Sequence, residues 1–138
     1  MELLPIIVLV ISNTAYNLFA KLVPAGVNVY VSLVCTYAVS LVTTLVFILL
    51  TGQGGAMITQ LRLVPWVSYV LGISIVGVEF GYIMAYRSGR PINSTALYVT
   101  IVISLVLIPI GVVVWHEPLS FKKIAGIVLG IISVILMS

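Results

Sequence analysis

Long apolar runs dominate the chain, and charged or turn-forming residues interrupt them at intervals. A bilayer core about 30 Å thick is crossed by a helix of roughly 20 apolar residues, and five runs in the sequence have about that length. We therefore predict an all-α, polytopic membrane protein with five transmembrane helices in a single transmembrane domain, residues 1–138. The predicted spans cover residues 3–20, 29–50, 64–86, 93–115 and 119–137.

The first and last of these runs need a closer look. Residues 3–20 are longer than the apolar core of a usual signal peptide and lack a basic n-region and an A-x-A-like cleavage site, so we expect a mature helix. Residues 119–137 are short for a span, but Lys122 and Lys123 have long side chains that can extend back to the interface.

Composition points to the membrane as well. Of the 138 residues, 62% are hydrophobic and only 7% are charged, whereas an ordinary soluble domain carries about 25% charged residues. So few charges exclude a soluble globule, and so much apolar surface excludes a disordered chain. The Lys and Arg residues are scattered without a basic face, which argues against a nucleic-acid partner. The single cysteine excludes an internal disulfide and a cysteine-based metal site, and we expect no metal and no cofactor.

The Lys and Arg residues are divided evenly between the two sides of the five predicted spans. They are Lys21, Arg87 and Arg90 on one side, and Arg62, Lys122 and Lys123 on the other. The positive-inside rule therefore gives no bias. Two interpretations stay open: a weaker signal fixes one orientation, or the chain has dual topology and pairs with an inverted copy of itself.

Glu79 lies near the middle of the third predicted span. A charge at that depth costs several kcal/mol unless it is paired, protonated or faces water. Such a carboxyl can exchange a proton or attract a cation, and the alternative role is a protonated, hydrogen-bonded packing residue. Tyr82 and Tyr86 share its face at helical spacing. Their rings can attract organic cations, although Tyr86 also suits an interfacial anchor.

The first predicted span carries a polar stripe made of Asn13, Tyr16, Asn17 and Lys21, which follow helical spacing. Lipid exposure of two amides is unfavourable, so we expect this stripe to face protein or a water-filled cavity. Hydrogen bonding between helices and cavity lining are equally compatible with it. In the fourth span, Tyr98 is the best candidate ligand among several hydroxyl groups.

Two G-x-x-x-G patterns allow close approach of another helix. Gly77 and Gly81 lie in the third span, rotated away from Glu79, and Gly126 and Gly130 lie in the fifth. We expect both pairs to serve helix packing or dimerisation.

The sequence has no signature of an enzyme, and we predict that the protein is not one. Asp is absent from the chain and the single histidine, His116, lies at a span boundary. The motifs G-x-S-x-G, H-E-x-x-H and the phosphate-binding loop are also absent.

Several short segments carry a resemblance to a known group of transporters. They are Gly81-Tyr82, Ala85-Tyr86, Ser94-Thr95-Ala96-Leu97, Trp115-His116-Glu117-Pro118-Leu119-Ser120 and Gly126 to Gly130. With the short first span, they resemble the second half of an EamA-type repeat of the drug/metabolite transporter superfamily. The last three spans are also similar to small multidrug resistance proteins, but those carry their key carboxylate in the first span, where this chain has Asn13 and Asn17.

The resemblance implies one half of an inverted-repeat transporter in the inner (plasma) membrane of a prokaryote. We expect an antiparallel homodimer that moves a small metabolite or organic cation by alternating access, with protons as the coupling ion. The predicted binding residues are Glu79, Asn13, Tyr16, Asn17, Tyr82 and Tyr98. The alternatives are a subunit of a lipid or lipid-linked-sugar flippase, and a non-transporting membrane interaction protein.

Overall fold

The structure is a computed structural model that describes residues 2–137. Every regular element in that part of the chain is helical, with no strand. The helices are α1 (Leu3–Leu22), α2 (Val29–Leu50), a 3₁₀ turn (Gly54–Ala56), α3 (Met57–Leu61), α4 (Trp66–Arg87), α5 (Ile92–Trp115) and α6 (Phe121–Met137).

Four of these helices, α1, α2, α4 and α5, are long and apolar enough to cross a membrane. The predicted all-helical, polytopic membrane fold is confirmed at that level. The fifth span is not confirmed, because residues 119–137 yield a helix of 17 residues. At 1.5 Å per residue, such a helix is about 26 Å long. It begins at Phe121 because the Ser120 hydroxyl accepts a hydrogen bond from the Lys123 backbone N–H at 3.3 Å and so caps the first turn.

Helix α2 has the predicted bounds, residues 29–50, and the bounds of α1, α4 and α5 differ from the predicted spans by at most two residues. Helix α1 continues beyond residue 20 to Leu22, since the long side chain of Lys21 lets its ammonium group leave the apolar layer. Helix α4 begins at Trp66 rather than at residue 64, because Pro65 is in an extended conformation and precedes the first turn.

The chain forms two compact units, one ending at Ser88 and the other beginning at Gly89. In the first unit, α4 packs against both α1 and α2. Helices α1 and α4 run parallel, because Tyr16 contacts Tyr82 and the next residue, Asn17, contacts Tyr86 further along α4.

The side chains that are buried in the first unit lie at one end of it. These residues are Asn17 and Ala20 of α1, Val29 and Leu33 of α2, and Ile83 and Tyr86 of α4. We call the C-terminal half of α1, the N-terminal half of α2 and the C-terminal half of α4 the closed end. The opposite halves form the open end, where residues 3–14 of α1 and 66–78 of α4 are all exposed.

Arg87 stabilises the closed end through hydrogen bonds to the backbone. Its Nη2 donates hydrogen bonds to the carbonyl oxygens of Pro24, at 2.9 Å, and Val27. Both acceptors belong to the turn between α1 and α2, so the last residue of α4 holds that turn in place.

In the second unit, α5 packs against α6. Helix α5 continues through Pro109 to Trp115, and the next residue, His116, caps it with a φ of 53° in the left-handed region. The Glu117 side chain then folds back over Gly111, where an added Cβ would lie 2.5 Å from Oε2. A side chain at position 111 would therefore displace the carboxylate end of the Glu117 side chain.

Candidate functional site

The inner face of α4 brings Glu79 into the first unit. Residues 79, 83 and 86 lie on one side of the helix, and Ile83 and Tyr86 are only 5% and 6% exposed. Glu79 is partly buried, whereas every residue of α4 before it is exposed. The carboxyl group therefore lies at the boundary between the closed end and the open end.

Two tyrosine hydroxyl groups from the other helices lie near this carboxyl group. The Tyr37 hydroxyl of α2 lies close to hydrogen-bonding range of Glu79, although it does not complete a hydrogen bond. The Tyr16 hydroxyl of α1 is within electrostatic range of both Glu79 and Tyr37. We call the Glu79 carboxyl group and these two hydroxyl groups the three-oxygen cluster, since three helices each supply one member.

Both hydroxyl groups of the cluster are shielded from solvent, and neither has a hydrogen-bond partner in the described part of the chain. Buried polar groups in proteins are almost always hydrogen-bonded. Tyr16 and Tyr37 therefore leave donor and acceptor capacity unused beside a carboxyl group.

A row of aromatic rings extends from this cluster towards the closed end. The rings of Tyr16 and Tyr82 meet edge to face, with centroids 5.8 Å apart and planes at 77°. Tyr82 stacks on Tyr86 at 6.0 Å. Both distances are in the range where aromatic pairs attract each other, so the three rings support one another.

A chain of hydrogen bonds runs alongside these rings. The Tyr86 hydroxyl donates to Asn17 Oδ1 at 2.6 Å. Asn17 Nδ2 donates to Asn13 Oδ1 at 2.8 Å and to the Asn13 carbonyl oxygen at 2.9 Å. Near the end of α1, Lys21 Nζ lies 5.8 Å from the centroid of the Tyr86 ring, which is within the range of a cation–π contact.

The structure thus brings together four of the six predicted binding residues: Tyr16, Asn17, Glu79 and Tyr82. Asn13 is exposed and lies one turn beyond them along α1. Tyr98 is exposed on α5, in the second unit. The binding role of all six stays a prediction.

Two members of the arrangement are absent from the predicted set. The sequence pattern indicates a cation-attracting ring or an interfacial anchor for Tyr86, yet the structure shows it buried and bonded to Asn17. Tyr37 follows the buried residues Val29 and Leu33 at spacings of four residues. That repeat marks the inner face of α2.

The glycine pairs differ from one another in their surroundings. Gly77 and Gly81 lie on the outer face of α4, and an added Cβ at either would meet no atom within 4 Å. Gly126 is equally open, whereas a Cβ at Gly130 would lie 3.4 Å from Ile101 Cγ2. Of these four glycines, Gly130 is the one whose added Cβ would reach another helix, and the packing or dimerisation role of the other three stays a prediction.

Two cavities lie away from the three-oxygen cluster. One of about 630 Å³ lies between the end of α2 and the α3 segment and contains Gln53 and Gln60. Another of about 310 Å³ lies between α5 and α6, with a mainly apolar lining and one charged residue, Lys123. The described residues contain no group of three metal-ligating side chains.

Comparison of the chain with protein-family models, with curated proteins and with solved structures found no match.

Proposed function

We propose that the chain is a half-size secondary transporter of the drug/metabolite type that works as an antiparallel homodimer. It exports or exchanges a small metabolite or organic cation by alternating access, and proton exchange at Glu79 couples the cycle. The observation that carries this proposal is the location of Glu79, whose partly buried carboxyl group lies where the closed end meets the open end.

The chemistry around Glu79 supports this proposal. An ionisable residue inside a membrane span is costly, and such residues usually line substrate or proton pathways. Tyrosine hydroxyl groups of α1 and α2 lie near Glu79, and a carboxylate at this position can attract a substrate cation.

The two ends of the first unit supply the elements of an alternating cycle. At the open end, the inner faces of α1 and α4 are exposed, which gives a path to the carboxyl group. At the closed end, the bond between Tyr86 and Asn17 and the contacts of Arg87 block the opposite path. Transporters with inverted repeats bind substrate near the midplane and move one repeat against the other. An inverted second copy supplies that second repeat.

The balance of Lys and Arg supports an inverted copy. Lys122 and Lys123 lie in the first turn of α6, so they stay on the same side whether or not α6 crosses the membrane. Three basic residues therefore fall on each side in either case, and neither orientation is favoured.

A subunit of a lipid or lipid-linked-sugar flippase is the second candidate. The specific observation in its favour is the cavity of about 310 Å³ between α5 and α6. Its apolar lining suits an acyl chain, and Lys123 suits an anionic headgroup beside it. In this case Lys123, rather than Glu79, recognises the transported molecule.

Uptake into proteoliposomes tests the first candidate directly. A panel of metabolites and amines is offered with and without an imposed pH gradient. We expect gradient-driven accumulation with the wild type and its loss with Glu79→Gln, which keeps size and polarity but cannot exchange a proton. Glu2→Gln is the matched control, since it makes the same change at an exposed position next to α1.

A Glu79→Gln protein that concentrates substrate at the wild-type rate would refute the coupling role. Scrambling of a headgroup-labelled anionic lipid that is lost in Lys123→Ala and kept in Glu79→Gln would instead support the flippase candidate.

A further inference from the structure

The buried hydroxyl groups of Tyr16 and Tyr37 both have unused hydrogen-bonding capacity. They come from α1 and α2 and both lie near the Glu79 carboxyl group of α4. Since buried polar groups normally have partners, these hydroxyl groups can accept hydrogen bonds from a small polar group that reaches them.

We propose that the three-oxygen cluster binds the primary ammonium group of the transported molecule. A primary ammonium carries three N–H donors and no acceptor, and the cluster offers three oxygen acceptors from three helices. The carboxylate supplies the opposite charge. Each tyrosine oxygen accepts one N–H, while the Tyr37 hydroxyl hydrogen remains able to donate to Glu79. This inference deepens the proposed function, because it names the chemical class of the substrate.

The aromatic rings favour a primary over a quaternary ammonium. A quaternary ammonium has no N–H group and is recognised mainly by open aromatic faces. Here Tyr82 already contacts Tyr16 on one side and Tyr86 on the other, so these rings do not form an empty cage. A quaternary group would also leave the Tyr16 and Tyr37 hydroxyl groups without partners, which is unfavourable in a buried site.

The route to the cluster is consistent with this ligand. The hydroxyl oxygens are shielded from solvent, whereas Glu79 is partly exposed towards the open end. A compact ammonium on a narrow chain can therefore enter past Glu79, with the rest of the molecule lying between the exposed inner faces of α1 and α4.

Binding of simple amines to the purified full-length chain in lipid nanodiscs tests the inference. The probes are n-butylamine, n-butyltrimethylammonium and sodium chloride at pH 7, where a primary alkylamine is protonated because its pKa resembles that of lysine. We expect butylammonium to bind at least tenfold more tightly than the trimethyl analogue by isothermal titration calorimetry.

The oxygen atoms are tested one at a time. Tyr16→Phe and Tyr37→Phe remove only the hydroxyl groups and keep the rings. We expect each to weaken butylammonium binding by about tenfold to a hundredfold, as for hydrogen bonds to charged groups, and to leave the trimethyl analogue unaffected. Tyr69→Phe is the matched control, since Tyr69 is exposed on α4. Loss of its hydroxyl group should change the affinity for neither butylammonium nor the trimethyl analogue.

Several results would overturn the inference. They are equal or tighter binding of the trimethyl analogue, heat of binding with sodium chloride alone, no binding of either amine, and butylammonium affinity that is unchanged in both Phe variants. The uptake assay separates this inference from the proposed function. Selective amine binding without any transport would refute the transporter function and support the ammonium site. Proton-driven uptake of a molecule without a primary amine would support the transporter function and refute the ammonium site.

Discussion

The Tyr86 hydroxyl of α4 donates a hydrogen bond of 2.6 Å to Asn17 Oδ1 of α1, and both side chains are buried. The two residues are 69 positions apart in the sequence, so the bond joins separate helices. Asn17 also donates a hydrogen bond to Asn13, one turn earlier in α1, so the three side chains form one hydrogen-bonded chain. This contact closes one end of the first unit.

We expect Tyr86→Phe to lower the free energy of unfolding by about 1 kcal/mol, since hydrogen bonds between membrane helices average roughly 0.6 kcal/mol with a maximum near 1.7. Reversible unfolding in mixed detergent micelles measures this loss. In Asn17→Leu the bond is already absent, so adding Tyr86→Phe should cost less than it does in the wild type. Tyr69→Phe serves as the control, and strictly additive effects would show that the bond contributes nothing.

The open end should admit water between α1 and α4. In a Cys35→Ser background, we expect Val10→Cys to react with a charged thiol reagent much faster than Val8→Cys. Val10 lies on the same side of α1 as Asn13 and Asn17, Val8 lies on the opposite side, and both are exposed. Mass spectrometry after timed labelling in proteoliposomes gives the rates. Equal rates at the two positions would mean that the open end is filled by lipid.

Dual topology is the prediction that follows from the even charge balance. Reporters that are active on only one side of the membrane, fused after α5 at Leu119, should both give intermediate signals. Adding two Lys residues next to Arg62 should make one reporter dominate and lower transport activity. A strong signal from one reporter and silence from the other in the unaltered chain would contradict the antiparallel dimer.

Substitutions of the glycines can distinguish association between copies from the folding of one copy. Gly77→Leu and Gly81→Leu project into open space, so we expect unchanged thermal stability of one copy and weaker association between copies. Gly130→Leu instead enlarges a side that already contacts Ile101 and should destabilise packing of α5 and α6. Chemical cross-linking and thermal denaturation in detergent measure the two effects. Unchanged cross-linking of the Gly77 and Gly81 variants would exclude that face from an interface.

The sequence was sufficient for the long helices and for the inner face around Glu79. Length and hydropathy determine a span almost alone, and a carboxyl group in an apolar run turns inward because lipid solvates it poorly. The start of α6 could not be read in this way, because the Ser120 cap, rather than hydrophobicity, determines where that helix begins.

The role of Tyr37 could not be predicted with the same tools. In a soluble protein the apolar face of a helix is the buried face, but in a membrane both faces are apolar. Spacing therefore showed which residues share a side of α2, and gave no indication of which side meets α4. The contact of Tyr37 with Glu79 depends on that choice.

Arg87 contributes both to the fold and to the charge balance across the membrane. Its guanidinium group is bonded to the carbonyl oxygens of Pro24 and Val27, and its charge also counts in the balance that decides orientation. A substitution of Arg87 that is meant to impose one orientation would also remove the hydrogen bonds that hold the turn between α1 and α2. Orientation is therefore better altered by inserting charges elsewhere, because any variant of Arg87 changes the hydrogen bonds of that turn and the charge balance together.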